Sequence, residues 1–265
     1  MATLGTALIG ITLLLATTGA AKEVISNVPE SRRVLVFSKT TGFRHASIPD
    51  AIAAVERLGA ANGFAVDATE DSSVFNDERL AVYDTVLFLL TSGDVLDATE
   101  KSAFERYIRG GGGFVGVHSA SDTEYGWTWY GGLVGTYFGG HPAIQSGVVI
   151  ATDRVHPSTR ELPVRWTRVE EWYNFSSNPR PRVHVLATLD ESTYSGGSMG
   201  TDHPISWCQF YDGGRAWYTA MGHAAETYEE PLFVRHLLGG IQFAAGYPDC
   251  DGQPARTLEP RLPSR

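Results

Sequence analysis

Residues 109–121 read RGGGGFVGVHSAS, and this stretch decides the fold. Four glycines, Gly110 to Gly113, end a helix. Phe114 to Val117 is apolar, which predicts a buried strand. His118 and Ser119 then stop that strand with polar side chains. In an open α/β sheet the ligand crevice lies outside the carboxyl ends of the strands, so His118 sits where such a fold places chemistry. Gly116 and Ala120 flank it as small residues flank a nucleophile elbow, a sharp strand-to-helix turn. Here the elbow residue is His, not Ser or Cys.

Upstream, Arg33 to Ser38 predicts the first strand, followed by the polar loop Lys39 to His45. Ser47 is the expected N-cap of a helix, with Asp50 in box-like spacing and Ile52, Val55, Leu58 and Ala61 on its apolar face. Gly63 ends that helix, and Phe64 to Thr69 alternates as a second strand. Thr85 to Leu90 reads as a central parallel strand. Asp97 opens a helix to Arg109 with Ala103, Phe104, Tyr107 and Ile108 inward. This order argues a doubly wound α/β sheet.

Downstream, Tyr125 to Phe138 predicts a short aromatic helix or lid. Gly147–Ala151 and Val183–Leu189 are further strands. Ile205–Tyr211 and Arg215–Met221 flank Asp212-Gly213-Gly214, a hairpin signal. Pairing Tyr211 with Arg215 sets His203 opposite His223, to within one residue of register. Glu229 to Ala245 is a last amphipathic helix.

The 265 residues are 43% hydrophobic and 19% charged, which suits one large α/β domain. A net charge of −9 gives no electrostatic reason to bind nucleic acid or an anionic membrane. Leu4 to Ala16 is apolar and runs into small residues, resembling a signal peptide cleaved after Ala20 or Ala21, although no Lys or Arg precedes it. A secreted or extracytoplasmic location is therefore expected. Two cysteines, Cys208 and Cys250, fit one disulfide in an exported chain, worth roughly 3–4 kcal/mol. The alternative is two unpaired thiols, with Cys208 buried in its strand.

Five histidines hold suggestive positions. His45 and His118 follow strands expected to be neighbours, His141 follows the aromatic segment, and His203 and His223 face each other at the hairpin mouth. Imidazoles at one crevice, with Glu170 or Glu171, suit general acid–base chemistry or a borderline metal. Ser119 and His118 are adjacent on an extended strand and so point apart, which argues against a Ser–His pair. Trp127, Trp129, Trp172, Tyr173 and Trp207 suit sugar stacking or the core.

These residues bring the chain from about Arg33 to Gly246 close to a known family. It resembles the ThuA-like (trehalose utilisation) family of the class I glutamine amidotransferase-like superfamily. The resemblance rests on Gly42-Phe43-Arg44-His45, on GGGFVGVHSASDTEYGWTWYGGLVG from Gly111, and on Gly140-His141-Pro142. It continues through Glu171-Trp172-Tyr173, His203-Pro204-Ile205-Ser206-Trp207 and Gly222-His223. It implies a flavodoxin-like three-layer sandwich with a mainly parallel sheet and a β-hairpin near the C-terminus. With His118 in place of the elbow Cys, amidotransferase chemistry is not implied.

The expected layout is a signal peptide (1–21), a leader (22–32), a ThuA-like domain (33–246) and an irregular tail (247–265). The expected function is that of a secreted carbohydrate-processing enzyme acting on a disaccharide, glycoside or 3-keto-glycoside. His118, Glu171 and His223 are the candidate catalytic residues. His45, Ser119, His141, Trp172, Tyr173, His203 and Trp207 are the candidate substrate contacts. A divalent metal such as zinc is a candidate cofactor, with His118, His203 and His223 as candidate ligands. The expected partner is a small carbohydrate, without nucleic acid or stable membrane insertion. The alternative is a non-catalytic carbohydrate- or metal-binding domain.

Overall fold

The computed structural model describes residues 32–247 together with Met1. Apart from Met1, Arg32 and Tyr247, the expected signal peptide, leader and tail lie outside the described residues, as does Cys250. Among the described residues no helix is long and apolar enough to cross a membrane.

The first half alternates strictly. It runs β1 (Arg33–Phe37), α1 (Ile48–Asn62), β2 (Ala65–Thr69), α2 (Asp77–Leu80), β3 (Thr85–Leu89), α3 (Ala98–Arg109) and β4 (Gly113–Val117). Both β3 and β4 are buried at every position, as strands covered on both faces must be. Asp97 and Glu100 form a reciprocal capping box at the start of α3. Gly63 closes α1 in the left-handed conformation, φ 73°.

The second half is α4 (Thr128–Val134), β5 (Phe138–Gly140), β6 (Gln145–Ala151), β7 (Arg165–Glu170), β8 (Asn174–Phe175), β9 (His184–Asp190), β10 (Pro204–Tyr211), β11 (Gly214–Thr219) and α5 (Pro231–Ala244). Nine strands form one sheet in the order β2-β1-β3-β4-β11-β10-β9-β6-β7, and β5 pairs with β8 apart from it. From β2 to β11 the strands are parallel, and from β11 to β7 each neighbour is antiparallel. The hairpin is therefore the joint of the sheet. On one face Phe104 of α3 packs on Phe88 and Phe114. On the other, Gly240 of α5 lies so close to the Trp217 ring that a side chain there would overlap it. Helices thus cover both faces, the three-layer sandwich expected.

In a flat sheet β7 would lie four strand spacings, about 19 Å, from β11. Yet the Glu170 side chain at the end of β7 accepts a hydrogen bond from Gly222, just after β11. The sheet is curled, and β10 shows where: its register with β9 shifts between Pro204 and Trp207. Bulges of this kind bend a strand and increase its twist.

The hairpin register differs from the expectation by one residue. Tyr211 pairs with Gly214, and Arg215 with Phe210. Asp212 and Gly213 form a two-residue turn, both at positive φ (47° and 100°), which matches the twist of the flanking strands. Strand β7, absent from the sequence reading, alternates exposed and buried residues as a sheet edge does. Ser47 precedes α1 but makes no side-chain cap; its hydroxyl donates instead to the His223 carbonyl at 2.6 Å. Cys208 is a free, fully buried thiol in β10, so no disulfide occurs among the described residues. Burial pushes that thiol well above its ordinary value.

Two histidines are structural, His236 on the buried face of α5 and His156 packed against that helix. His236 donates from Nδ1 to the Ser158 carbonyl at 2.8 Å, and burial lowers its pKa from 6.5 to about 3. His156, against Phe243, is lowered by burial to about 4. Each is neutral in the fold yet protonated in the unfolded chain below about pH 6.5, so the unfolded state binds more protons there. Stability must therefore fall as pH drops from about 6.5 toward 4, by up to about 1.4 kcal/mol per pH unit for each group. Urea unfolding at pH 7 and pH 5 should show this loss, and His236→Gln should reduce the difference. An unchanged difference in the variant would show that His236 is not held neutral.

Candidate functional site

The elbow is real. His118 leaves β4 with φ 53°, in the left-handed region, and begins a tight turn over His118–Asp122. A non-glycine residue held there costs on the order of 1–3 kcal/mol and needs its surroundings to fix it. Tyr218 supplies one fixing contact, its hydroxyl donating to the His118 carbonyl at 2.8 Å. The Ala220 carbonyl supplies another, 2.6 Å from Nδ1 of His118. A carbonyl only accepts, so Nδ1 carries a proton and Nε2 presents its lone pair in the neutral ring. The Tyr173 ring lies against the imidazole, with centroids 4.2 Å apart.

Nε2 of His118 faces Glu171. Oε2 of Glu171 lies 3.2 Å from His118 Nε2 and 3.2 Å from His223 Nδ1. The two imidazole nitrogens are themselves 3.3 Å apart. The second carboxylate oxygen, Oε1, is 3.3 Å from Nδ1 of His141 at the rim. His45 closes the group, with its ring centroid 4.9 Å from that of His118 and 5.1 Å from that of His223. The four side chains His45, His118, Glu171 and His223 bring ligand atoms within 4.8 Å of one another and could hold a metal ion.

Electrostatics follow from this packing. Burial alone would raise the Glu171 carboxyl, but hydrogen bonds and charge from His118 and His223 outweigh it and hold the group well below the carboxylate range. His223 is raised, first by its hydrogen bond to Glu171. His45 is lowered to about 3 by burial and by the neighbouring imidazoles, so it stays neutral.

Glu170 does not face this centre. Its carboxylate accepts hydrogen bonds from the backbone of Gly222 (3.0 Å), His223 (3.1 Å) and Glu171 (3.1 Å), and Arg168 holds it from behind at 3.0 Å. Gly222, at φ 120°, makes the turn that brings His223 round, and a side chain there would press on Tyr228 and Val117. Glu170 and the Ser47 hydroxyl thus position His223 through its backbone.

Of the expected residues, His45, His118, Ser119, His141, Glu171, Tyr173 and His223 come together. Three expectations need correction. His203 is fully buried, with Nδ1 2.9 Å from Glu191 and Nε2 donating to the Tyr173 carbonyl at 2.8 Å. The one-residue slip removes the pairing that set it opposite His223, since neighbouring residues face opposite ways; it is therefore not in the His/Glu cluster. Trp172 and Trp207 are each 1% exposed, and their indole N–H groups donate to the carbonyls of Gln145 and Val134. They are core, not sugar platforms. His45 and His118 follow β1 and β4, which β3 separates, so they meet through their loops and not as strand neighbours. Ser119 lies 3.4 Å from His45 Nδ1 and does not pair with His118.

The exposed ring at the mouth is Phe43, 64% exposed and edge-on to His45 at 4.8 Å. A bulky aromatic in an otherwise polar loop, two residues before a site histidine, was the available sequence signal. The clamping roles of Glu170 and Ser47 had none, because they act through backbone atoms that only the fold brings near.

Arg168 is buried and also meets Glu230 at 3.2 Å, so Glu170→Ala would remove one of its two carboxylate partners, and losses of this kind run up to about 3–5 kcal/mol. Urea denaturation should show a destabilisation in that range. A change under about 1 kcal/mol would remove Glu170 from the role of clamp.

The comparisons with known proteins agree with this architecture. The family profile for ThuA, described as trehalose utilisation, matches residues 33–244. No curated protein matches the chain. A protein of Bacteroides uniformis described as ThuA-like superposes with a TM-score of 0.69 at 26% identity, covering 80% of this chain and 90% of its own. A second, from Parabacteroides merdae, gives 0.68 at 20% identity, covering 89% and 95%. The cold-adapted β-galactosidase of Rahnella sp. R3 shares the fold alone, with a TM-score of 0.52 at 16% identity over 79% of this chain and 30% of that enzyme. On the match over residues 33–244, the chain belongs to the ThuA family, within the glutamine amidotransferase-like superfamily.

Proposed function

We propose that this ThuA-family chain is a secreted carbohydrate-processing enzyme acting on a disaccharide, a glycoside or a 3-keto-glycoside. One observation carries the reading. Glu171, His118, His223 and His45 converge, with His141 at the rim, beyond the carboxyl ends of strands in an α/β sheet. The family's association with trehalose utilisation supports the substrate class. The apolar N-terminal run ending in small residues supports export. The acidic chain favours a small carbohydrate partner over nucleic acid or membrane.

For a 3-keto-glycoside the chemistry is an elimination. His141 shares its Nδ1 proton between the Pro142 carbonyl (2.9 Å) and Glu171 (3.3 Å), so Nε2 carries the lone pair. That nitrogen takes the acidic proton from the carbon between the carbonyl and the glycosidic centre. The electron pair moves onto the carbonyl oxygen, opposite His223, whose protonated form Glu171 favours. As it returns, the glycosidic C–O bond breaks, a carbon–carbon double bond forms, and the departing oxygen takes the proton back from His141. Glu171 favours the charged form of His223 and orients His118. A divalent ion such as zinc at the cluster would replace the proton on His223 Nδ1 and supply Lewis acidity toward the same carbonyl oxygen. The exposed Phe43 ring offers a face for the sugar.

His118→Ala and His223→Ala should each lower turnover of such a glycoside by about 100-fold or more. Sugar binding, measured by calorimetry on the same variants, should weaken far less. Phe43→Ala should instead weaken binding roughly fivefold, about 1 kcal/mol, with little loss of turnover. Full activity in the histidine variants, or sugars that bind but are never turned over by the unaltered protein, would replace the enzyme with a carbohydrate-binding domain. Export is checked by intact mass: the mature chain should begin at Ala21 or Lys22, and an exported chain that keeps its first twenty residues would refute cleavage there.

A further inference from the structure

The geometry points to a zinc-type site in which His118 Nε2, His223 Nδ1 and Glu171 Oε2 are the three protein ligands and the fourth position, facing His45, stays open. This deepens the reading of the same crevice, but it stands or falls without any sugar.

Zinc binds nitrogen at about 2.0–2.1 Å and carboxylate oxygen at about 2.0–2.2 Å, which sets tetrahedral donor–donor edges of about 3.3–3.5 Å. The three edges here are 3.2, 3.2 and 3.3 Å. They form one near-equilateral face of such a tetrahedron. Two imidazoles and one carboxylate with an open position is also a recurrent ligand set of catalytic zinc.

Nδ1 of His118 donates to the Ala220 carbonyl at 2.6 Å, which leaves Nε2 with its lone pair toward His223 Nδ1. A lone pair, a carboxylate oxygen and a second ring nitrogen thus meet within 3.3 Å. A cation satisfies all three together, where a single proton on His223 is shared between two acceptors.

Ligating histidines characteristically donate their other N–H to a carbonyl or carboxylate. His118 does so to Ala220. The spare oxygen of Glu171 is held by His141, and the backbone of His223 is fixed by Glu170 and Ser47. His118 keeps a left-handed backbone, φ 53°, in a fully buried place, strain of the kind that clusters at functional sites. His45, within 4.8 Å of the other ligand atoms but outside the close triangle, lines the open position. The donor set excludes calcium and magnesium, which take oxygen ligands, and favours a borderline first-row ion.

The test uses the untagged chain, stripped with chelator and reloaded with zinc or cobalt alone. We expect one equivalent of zinc per chain, retained through desalting. The cobalt form should show the intense visible absorption of a tetrahedral or five-coordinate ion. His223→Ala and Glu171→Gln, both checked for folding by circular dichroism, should each weaken zinc binding by about 100-fold or more. His45→Ala should keep the metal within about tenfold and alter the cobalt spectrum. His184→Ala, which removes a histidine paired with Asp153 elsewhere, should change neither. Less than a tenth of an equivalent of bound zinc, or equal binding in His223→Ala and Glu171→Gln, would overturn the site; the cluster would then be held by protonated His223 alone. A weak, octahedral-type cobalt spectrum would overturn the three-ligand geometry.

Discussion

One carboxylate oxygen organises this molecule. Oε2 of Glu171 stands 3.2 Å from an imidazole on each side, His118 after β4 and His223 after β11. Such a group leaves water only when its charge is answered, and here two rings answer it. The residue before it has the opposite task. Consecutive side chains at the end of a strand point to different sides, so Glu170 turns away from the centre and clamps the backbone that carries His223. Adjacent glutamates thus divide the work, one in the site and one holding it.

The sheet explains how segments so far apart in sequence meet. Strands β1, β4 and β11 run parallel, and four antiparallel steps from β11 return β7 to that same direction. His45, His118, Glu171 and His223 therefore all follow carboxyl ends at one edge of the sheet. Direction alone would leave Glu171 remote. The irregular pairing of β10 with β9 curls the antiparallel half over, and the crevice forms between that half and the parallel one.

Much of this was legible in the sequence, and for identifiable reasons. Both-face burial makes β3 and β4 continuous apolar runs, and the small residues around His118 report the tight elbow that φ 53° confirms. Glycines at positive φ mark real chain reversals. What failed was long-range. Asp212-Gly213 makes a two-residue turn where the sequence pattern predicts three, and that one-residue shift places His203 in a buried bond with Tyr173 and not in the crevice. Trp172 and Trp207 looked like sugar platforms because composition does not say which face of a strand or loop a ring occupies. Strand β7 buries Arg168 and Glu170 and exposes Val169, so its polarity runs against the alternation that marks a half-buried strand. Glu170 and Ser47 work through backbone contacts that curl and topology create.

The central claim is that His118, Glu171 and His223 form one ligand-shaped triangle. Anomalous diffraction at the zinc edge, from crystals of the unaltered chain grown with zinc, tests it most directly. The account predicts a single strong peak among these three side chains, about 2.0–2.2 Å from His118 Nε2, His223 Nδ1 and Glu171 Oε2, with His45 beside the open position. No peak there, or rings turned so that these three atoms no longer face one another, would contradict it.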